Sequence, residues 1–345
     1  MSQGEDETER AERLLALAAE AQPHLTGAGS AAWMDKLERE HDGLRATFQS
    51  LIERARGAEA LQLAADLWLF QEERGHAEES RAWLAKALGA PGAEPRTLTR
   101  ARALYGSGIL AFRKLDEDLA RRSFEECLSI AQEVNDTTLI VRGTTGLARL
   151  ALRRGEPGEV RRHSEIALAV ARERGDKADT ATPLHMLAAA ARVEGNFRQA
   201  KAFYRENLAL NRELNRPQWV SVELGNLGAL EVLEGNVREA GPLLRESLTI
   251  ARERGDRYGA PYNLIWLGRV ALAEGDPKRA ARLLAAAKRE FDTTGLAMDP
   301  DEAPEYEKGL AAIREAMGAE ALAAAWAEGQ RMSLESATAY ALGHD

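Results

Sequence analysis

Residues 227–240 read LGALEVLEGNVREA, and this stretch decides the fold. Its leucines recur every three residues, which is the apolar spacing of one face of a helix. Gly235 then ends that helix, because glycine adopts the left-handed conformation of a C-cap without steric cost. The apolar pattern resumes at Val237 and continues through Ala240. The stretch therefore predicts two helices joined by a tight turn.

The same turn recurs along the chain with a period of 40 residues. Leu115 holds the register position once, and glycine holds it at Gly75, Gly155, Gly195, Gly235 and Gly275. A small or modest side chain follows five residues later, at Ser80, Ala120, Val160, Ala200, Ala240 and Ala280. A second turn signal follows each register position by about twenty residues, at Asn135, Gly175, Asn215 and Gly255. A fixed long period indicates stacked helix pairs, since one pair cannot bury its apolar stripe alone.

The composition supports helices throughout the chain. The strong helix formers Ala, Leu, Glu and Arg dominate, while aromatic residues make up only 6%. The sequence therefore predicts an all-α fold, a right-handed superhelical solenoid of stacked antiparallel helix pairs with a repeat of about 40 residues. We expect an N-terminal helical cap over residues 1–57, about six pairs over residues 58–296 and a C-terminal helical cap over residues 297–345.

The repeat resembles the tetratricopeptide repeat. Gly228 and Ala240 stand at the small positions of that signature, and so do Gly268 and Ala280 in the following repeat. In the signature, small residues lie where the two helices of a pair cross closely. The resemblance therefore implies that Gly228 and Ala240 pack against each other. The usual repeat has about 34 residues, so the longer period here implies longer helices.

Both ends of the chain carry a second resemblance. A W-x3-L-x2-E-H-D-x-L-R pattern near the start comprises Trp33, Leu37, Glu40, His41, Asp42, Leu44 and Arg45. The pattern near the end covers residues 326–329, 332–335 and 340–342. Both are similar to the tetratricopeptide sensor region of actinobacterial transcriptional regulators that also carry an NTPase module and a LuxR-type DNA-binding domain. Gly43 stands where those proteins more often have Asn.

The resemblance extends to the sensor region only. No G-x4-G-K-[ST] phosphate-binding motif occurs in the sequence, which argues against an NTPase module. The sequence also ends a few residues after the last shared motif, at Asp345. We therefore expect either a fragment of such a regulator or a free-standing relative of its sensor part, without NTPase or DNA-binding domains.

Charge and cysteine usage indicate a cytoplasmic protein that does not associate with membranes. The formal net charge of −9 disfavours a general attraction to nucleic acid or to an anionic membrane. Cys127 is the only cysteine and lies on an apolar helix face, which predicts a buried thiol and excludes an internal disulfide. No run approaches the roughly 18 apolar residues of a membrane span, and the acidic start does not resemble a signal peptide.

The sequence predicts no catalytic, cofactor or metal site. None of the six histidines has a metal-ligand partner of the H-E-x-x-H type. His41 and Asp42 are adjacent, and adjacent helical residues point to different faces, which favours packing or capping over a catalytic pair. Gly106 and Gly108 resemble part of a dinucleotide-binding loop, but no strand precedes them, which favours a helix crossing. The chain is therefore interpreted as a non-enzymatic protein without a cofactor.

Candidate binding residues follow from the tetratricopeptide resemblance, in which the first helix of each pair lines a concave groove. The side chains at those positions are rich in arginine and aromatic groups: Arg102, Tyr105, Arg142, Arg149, Arg153, His185, Arg192, Asn226, Tyr262, Trp266 and Arg269. Because arginine forms forked hydrogen bonds to carboxylates, we expect a partner with acidic groups. The alternative is that these arginines pair with glutamates of neighbouring helices.

These features predict a scaffold that binds a peptide or a segment of a partner protein, in signalling or transcription regulation. One alternative is a sensor of a small anionic metabolite, which would reveal itself by a ligand-dependent melting temperature. Another is single-stranded nucleic-acid binding by the arginine and aromatic side chains. The negative net charge counts against that second alternative.

Overall fold

The computed structural model describes residues 3–26, 29–294, 298 and 302–343, with side chains from residue 9 onward. Within these residues, all regular secondary structure is helical, which confirms the predicted all-α fold class. The α-helices are α1 (Gln3–Ala21), α2 (Ser30–Arg39), α3 (His41–Glu53), α4 (Gly57–Glu73), α5 (Ala77–Leu88), α6 (Leu98–Arg113), α7 (Glu117–Glu133), α8 (Thr137–Arg153), α9 (Pro157–Glu173), α10 (Lys177–Val193), α11 (Phe197–Glu213), α12 (Pro217–Leu233), α13 (Val237–Glu253), α14 (Gly259–Ala273), α15 (Pro277–Thr294), α16 (Ala303–Ala316), α17 (Ala319–Arg331) and α18 (Leu334–Leu342). A 3-10 turn (Gln22–His24) follows α1.

The chain forms two compact units, residues 1–183 and residues 184–345. In the described part of the first unit, α1–α3 precede the pairs α4/α5, α6/α7 and α8/α9 and the beginning of α10. In the described part of the second unit, the end of α10 and α11 precede the pairs α12/α13 and α14/α15, and α16–α18 follow. The expected boundary at residue 297 lies outside the described residues.

A residue in the left-handed conformation ends the first helix of each pair. The backbone angle φ is positive at all five register glycines, from 68° at Gly155 to 86° at Gly75. Leu115 adopts the same conformation, with a φ of 62°, although its side chain crowds the backbone there. After α12, the amide of Asn236 donates to the carbonyl of Glu231 at 2.8 Å, which satisfies one of the last carbonyls of the helix. This geometry stops one helix and starts the next within three residues.

Glycines on the first helix of a pair make room for large side chains on the second helix. A Cβ on Gly228 would lie 2.6 Å from Cγ of Leu244, and one on Gly108 would lie 2.5 Å from Cε1 of Phe124. The residue that fills the crossing opposite Gly228 is therefore Leu244, one helical turn after Ala240. Ala240 is fully buried in the same core. A small residue opposite a large one lets two helices approach closely without a void.

Both ends of the chain pack on the repeats. Near the start, α1 packs on α3 and α4, and Leu14, Leu37 and Leu44 of this region are fully buried. Near the end, α17 and α18 pack against α15. Ser333 caps α18, because its hydroxyl oxygen accepts from the amide of Ser336 at 3.1 Å. None of the described helices is long and apolar enough to cross a lipid bilayer.

Candidate functional site

The predicted binding residues of the second unit hold a buried carboxylate. Glu302, which directly precedes α16, is only 8% exposed. Arg192 on α10 donates from Nη1 to Oε1 of Glu302 at 3.0 Å. Trp266 on α14 donates from Nε1 to Oε2 of Glu302 at 2.9 Å. Each carboxylate oxygen thus has a donor from a different helix, and both donors are residues that the sequence predicted.

The residues around this carboxylate site are largely shielded from solvent. The side chain of Arg192 is 11% exposed, and Trp266 is buried. Tyr204 on α11 is buried near Arg192, whose positive charge partly opposes the effect of burial on the pKa of Tyr204. Burial raises the pKa of Tyr204, so the hydroxyl stays protonated at neutral pH. Hydrogen bonds to a charged group are strongest in such surroundings, so the site favours a carboxylate over a neutral amide.

A second carboxylate lies one helical turn further along. Arg269 on α14 forms an ion pair with Glu305, and its guanidinium lies 5.5 Å from the ring centroid of Trp266. Burial alone would raise the pKa of Glu305, but hydrogen bonds from Lys308 and Arg269 outweigh it and hold the pKa below its usual value. Glu302 and Glu305 are three residues apart, so they lie on the same side of the start of α16. The second unit therefore binds two acidic side chains spaced by about one turn.

His185 on α10 contacts a buried polar group. Its Nδ1 lies 2.9 Å from Oε1 of Glu223, a fully buried carboxylate on α12. The same oxygen accepts from Nδ2 of Asn207 at 2.9 Å. The ring of His185 also contacts Trp219 edge-on, with 5.9 Å between the centroids. These contacts place His185 in the packing between α10, α11 and α12, with its ring half-buried.

Tyr262 and Asn226, the other two predicted residues of this unit, are also half-buried. The ring of Tyr262 packs edge-on against Phe291 of α15, with 5.2 Å between the centroids. The side chain of Asn226 makes no hydrogen bond with any residue that the structure describes. Its amide is therefore a candidate to bind a ligand directly.

In the first unit, two of the predicted arginines lie over aromatic rings. The guanidinium of Arg142 on α8 lies 5.8 Å from the ring centroid of Tyr105 on α6. The guanidinium of Arg153 lies 3.5 Å from the ring centroid of Phe112, and it donates to the Phe112 carbonyl at 2.6 Å. Positions about forty residues apart on successive first helices thus meet, as the repeat predicts. Cation–π contacts of this kind hold the arginine side chains in place.

The other two predicted residues of the first unit are Arg102 and Arg149, both half-buried. Burial raises the pKa of Asp66 on α4, and the hydrogen bond from Gln62 and the charge of Arg102 partly oppose that effect. The side chain of Arg149 makes no hydrogen bond or ion pair with another described residue. A single groove shared by the predicted residues of both units stays a prediction.

Sequence-based reasoning missed Glu302 and Glu305. Arg192 and Arg269 pair with glutamates at the start of α16, as the alternative interpretation of the arginines predicted. The available signal was the acidic run DPDEAPEYE at residues 299–307. Arg192 and Glu302 are 110 residues apart in sequence, so no local pattern could have paired them.

The helical repeats match a family model in two stretches. Residues 103–151 and 214–273 match the model of the family described as anaphase-promoting complex subunit 5. The first stretch covers most of α6 and all of α7, and ends within α8. The second stretch ends with α14. No curated protein sequence matches the chain.

Several solved structures share the fold. The apo form of the quorum sensor NprR from B. thuringiensis has a TM-score of 0.59 at 14% identity, over 91% of this chain and 85% of that chain. A Rap protein complexed with Competence and Sporulation Factor has a TM-score of 0.58 at 12% identity, over 94% and 99%. The fold is tetratricopeptide-like. The Rap conjugation gene regulator of plasmid pLS20, in complex with the Phr* peptide, has a TM-score of 0.55 at 14% identity, over 90% and 98%.

Proposed function

We propose that this chain is a non-catalytic scaffold that binds an acidic peptide, or an acidic segment of a partner protein, through Arg192, Trp266 and Arg269. The observation that carries the proposal is the buried carboxylate of Glu302, which accepts hydrogen bonds from Arg192 and Trp266. A site that binds one carboxylate through charge-assisted hydrogen bonds has the donors to bind another. Glu302 is, on this proposal, an internal occupant of the binding site.

The internal occupant also suggests the pattern of the ligand. Glu302 and Glu305 present carboxylates about one helical turn apart to Arg192 and Arg269. A ligand with the same spacing is a helical segment with two acidic residues at positions i and i+3. Such a ligand competes with a tethered carboxylate, whose effective concentration is on the order of millimolar. Weakening the internal contact should therefore increase the affinity for the external ligand.

The comparisons support the class of ligand and the biological setting. Two of the similar structures are complexes, one with Competence and Sporulation Factor and one with the Phr* peptide. The Rap protein of plasmid pLS20 is described as a conjugation gene regulator, and NprR is described as a quorum sensor. These descriptions, with the resemblance of the chain ends to regulator sensor regions, support a role in cytoplasmic signalling or transcription regulation.

A small anionic metabolite is the second candidate ligand. The contact of Arg192 and Trp266 with one carboxylate group favours it, because a free carboxylic acid presents the same two oxygens. A metabolite needs only one such group, whereas the peptide proposal requires both carboxylates. Binding of mono- and dicarboxylates therefore distinguishes the two candidates.

Binding of matched peptides tests the proposal. One peptide carries glutamates at positions i and i+3, and the other carries glutamines there. Fluorescence anisotropy is measured with the wild type, Glu302→Gln and Arg192→Glu. Arg212→Glu serves as the control, because it reverses an exposed arginine of the same unit that pairs with Glu246.

We expect Glu302→Gln to bind the acidic peptide about tenfold or more tightly than the wild type, because one charge-assisted hydrogen bond contributes about 1.5–3 kcal/mol. Arg192→Glu should lose binding, and Arg212→Glu should retain it. Equal binding of the glutamine peptide, or unchanged binding by Arg192→Glu, would contradict the proposal.

A further inference from the structure

Two histidines and two glutamates meet beside the turn between α4 and α5. Glu38 lies in the last turn of α2, and His41 is the first residue of α3. His76 is the N-cap of α5, and Glu79 lies in its first turn. One ligand atom each from Glu38, His41 and His76 lie within 4.8 Å of one another. The sequence shows the same spacing twice, as E-x-x-H and as H-x-x-E.

Two distances within this cluster are close to those between ligands of one metal ion. Nε2 of His76 forms a hydrogen bond with Oε1 of Glu38 at 3.3 Å, and Nε2 of His41 lies 2.9 Å from Oε2 of Glu79 without forming one. A tetrahedral zinc ion with bonds of about 2.0–2.1 Å holds its ligand atoms about 3.3 Å apart. The two imidazole centroids are only 4.0 Å apart. The ligand atoms of Glu38, His41 and His76 are therefore close enough to surround one ion, and a side-chain shift of Glu79, whose Oε2 already lies next to His41, would add a fourth.

The orientation of His41 supports a metal ligand over a simple ion pair. His41 is 6% exposed, and its Nε2 forms no hydrogen bond with the described residues. The carboxylate of Glu79 is close to this nitrogen but not in the direction of a hydrogen bond. Two ligands of one ion point their lone pairs at the ion rather than at each other, which produces this geometry. A buried ring nitrogen without a hydrogen bond is otherwise unfavourable.

The neighbouring charges suit a divalent cation. Arg45 donates from Nε to Oε1 of Glu79 at 2.7 Å and from Nη2 to Oε2 at 3.4 Å, and Oε2 of Glu79 also faces His41. Outer hydrogen bonds of this kind orient the ligands of metal sites. With neutral imidazoles, the two carboxylates and one guanidinium leave a single net negative charge. This negative charge attracts a dication, whose binding would leave a single net positive charge.

We propose that Glu38, His41, His76 and Glu79 form a binding site for a divalent transition metal ion, with Zn²⁺ as the best match. Imidazole and carboxylate ligands suit Zn²⁺. Four protein ligands make a closed, structural site that leaves no position for a substrate. The ion would join α2 and α3 to α5 and so stabilise the first unit. This site is independent of the proposed peptide binding.

Zinc binding by the metal-free chain tests the site. The purified full chain is stripped of metal and titrated with ZnCl₂ against a chromophoric chelator. His76→Ala removes one ligand; its side chain makes no N-cap hydrogen bond, so we expect the variant to fold. Glu38→Gln keeps the volume of a second ligand and serves as an independent variant. His163→Ala is the matched control, because His163 also lies near a glutamate, Glu159, at 3.7 Å.

The wild type and His163→Ala should bind one Zn²⁺ per chain. His76→Ala and Glu38→Gln should each bind Zn²⁺ about tenfold or more weakly, with unchanged circular dichroism. Co²⁺ should give the visible absorption bands of a tetrahedral site in the wild type, and these bands should be lost in His76→Ala. Absence of stoichiometric binding by the wild type, or wild-type affinity in both ligand variants, would overturn the proposal.

Discussion

Replacement of Glu302 by alanine tests the energetic importance of the buried carboxylate site. In the wild type, both oxygens of Glu302 accept hydrogen bonds, and the two donor side chains are at most 11% exposed. Removing one partner of a buried charge pair costs about 3–5 kcal/mol, because the remaining charge keeps its desolvation penalty. We expect a loss near the lower limit of this range, about 3 kcal/mol, since the side chain of Arg192 is 11% exposed and gains access to water once the Glu302 side chain is removed.

Urea unfolding followed by circular dichroism measures this loss as a free energy of unfolding, and thermal unfolding measures it as a change in melting temperature. At about 2–4 °C per kcal/mol for a unit of this size, the melting temperature should fall by about 6–12 °C. Glu246→Ala is the control, because Glu246 is half-exposed and pairs with the exposed Arg212. Exposed pairs contribute less than about 1 kcal/mol. If Glu302→Ala is no more destabilised than Glu246→Ala, the buried carboxylate of Glu302 does not contribute the predicted stability.

Three further predictions concern the turns, the second carboxylate and the cysteine. Leu115→Gly should stabilise the chain by about 1 kcal/mol in urea unfolding, because Leu115 is 67% exposed and its backbone is in the left-handed conformation. Gly235→Ala should destabilise the chain by a similar amount. A loss of stability in Leu115→Gly would contradict the turn assignment. Glu305→Gln should lower the free energy of unfolding by about 1 kcal/mol at pH 7. Because the pKa of Glu305 is lowered in the folded chain, this difference should vanish as the pH falls through that pKa. A pH-independent difference would refute the ion pair. Burial raises the pKa of the Cys127 thiol to about 12, so a disulfide reagent should modify it only after unfolding, and rapid labelling of the native chain would show that the thiol is accessible.

The helices and turns could be predicted because their signals are local. Gly235 and the apolar positions around it determine a helix end and two apolar faces within 14 residues. The 40-residue period predicts the position of a turn better than the residue type does, since Leu115 adopts the left-handed conformation at a position where glycine is usual. The partner of Gly228 was less predictable, because the crossing point depends on how deeply Leu244 inserts between the helices.

The binding site could be predicted only in part, because its components are far apart in sequence. Arg192, Trp266 and Arg269 followed from the repeat register, which places equivalent positions on successive first helices. Glu302 lies beyond the regular repeats, and its contact with Arg192 depends on how α16 returns to α10 and α14. His41 and His76 are likewise 35 residues apart, so a search for metal motifs within one helix could not have joined them.

The most direct test of the proposed function supplies the two carboxylates in trans. The variant Glu302→Ala/Glu305→Ala lacks the internal acidic groups, and a synthetic peptide of residues 299–310 carries them. Isothermal titration calorimetry should give saturable binding at one site per chain. Binding should be lost when both glutamates of the peptide are replaced by glutamine, or when Arg192→Glu is added to the variant. No binding, or equal heats from the acidic and the glutamine peptide, would contradict the claim that this unit recognises acidic peptides.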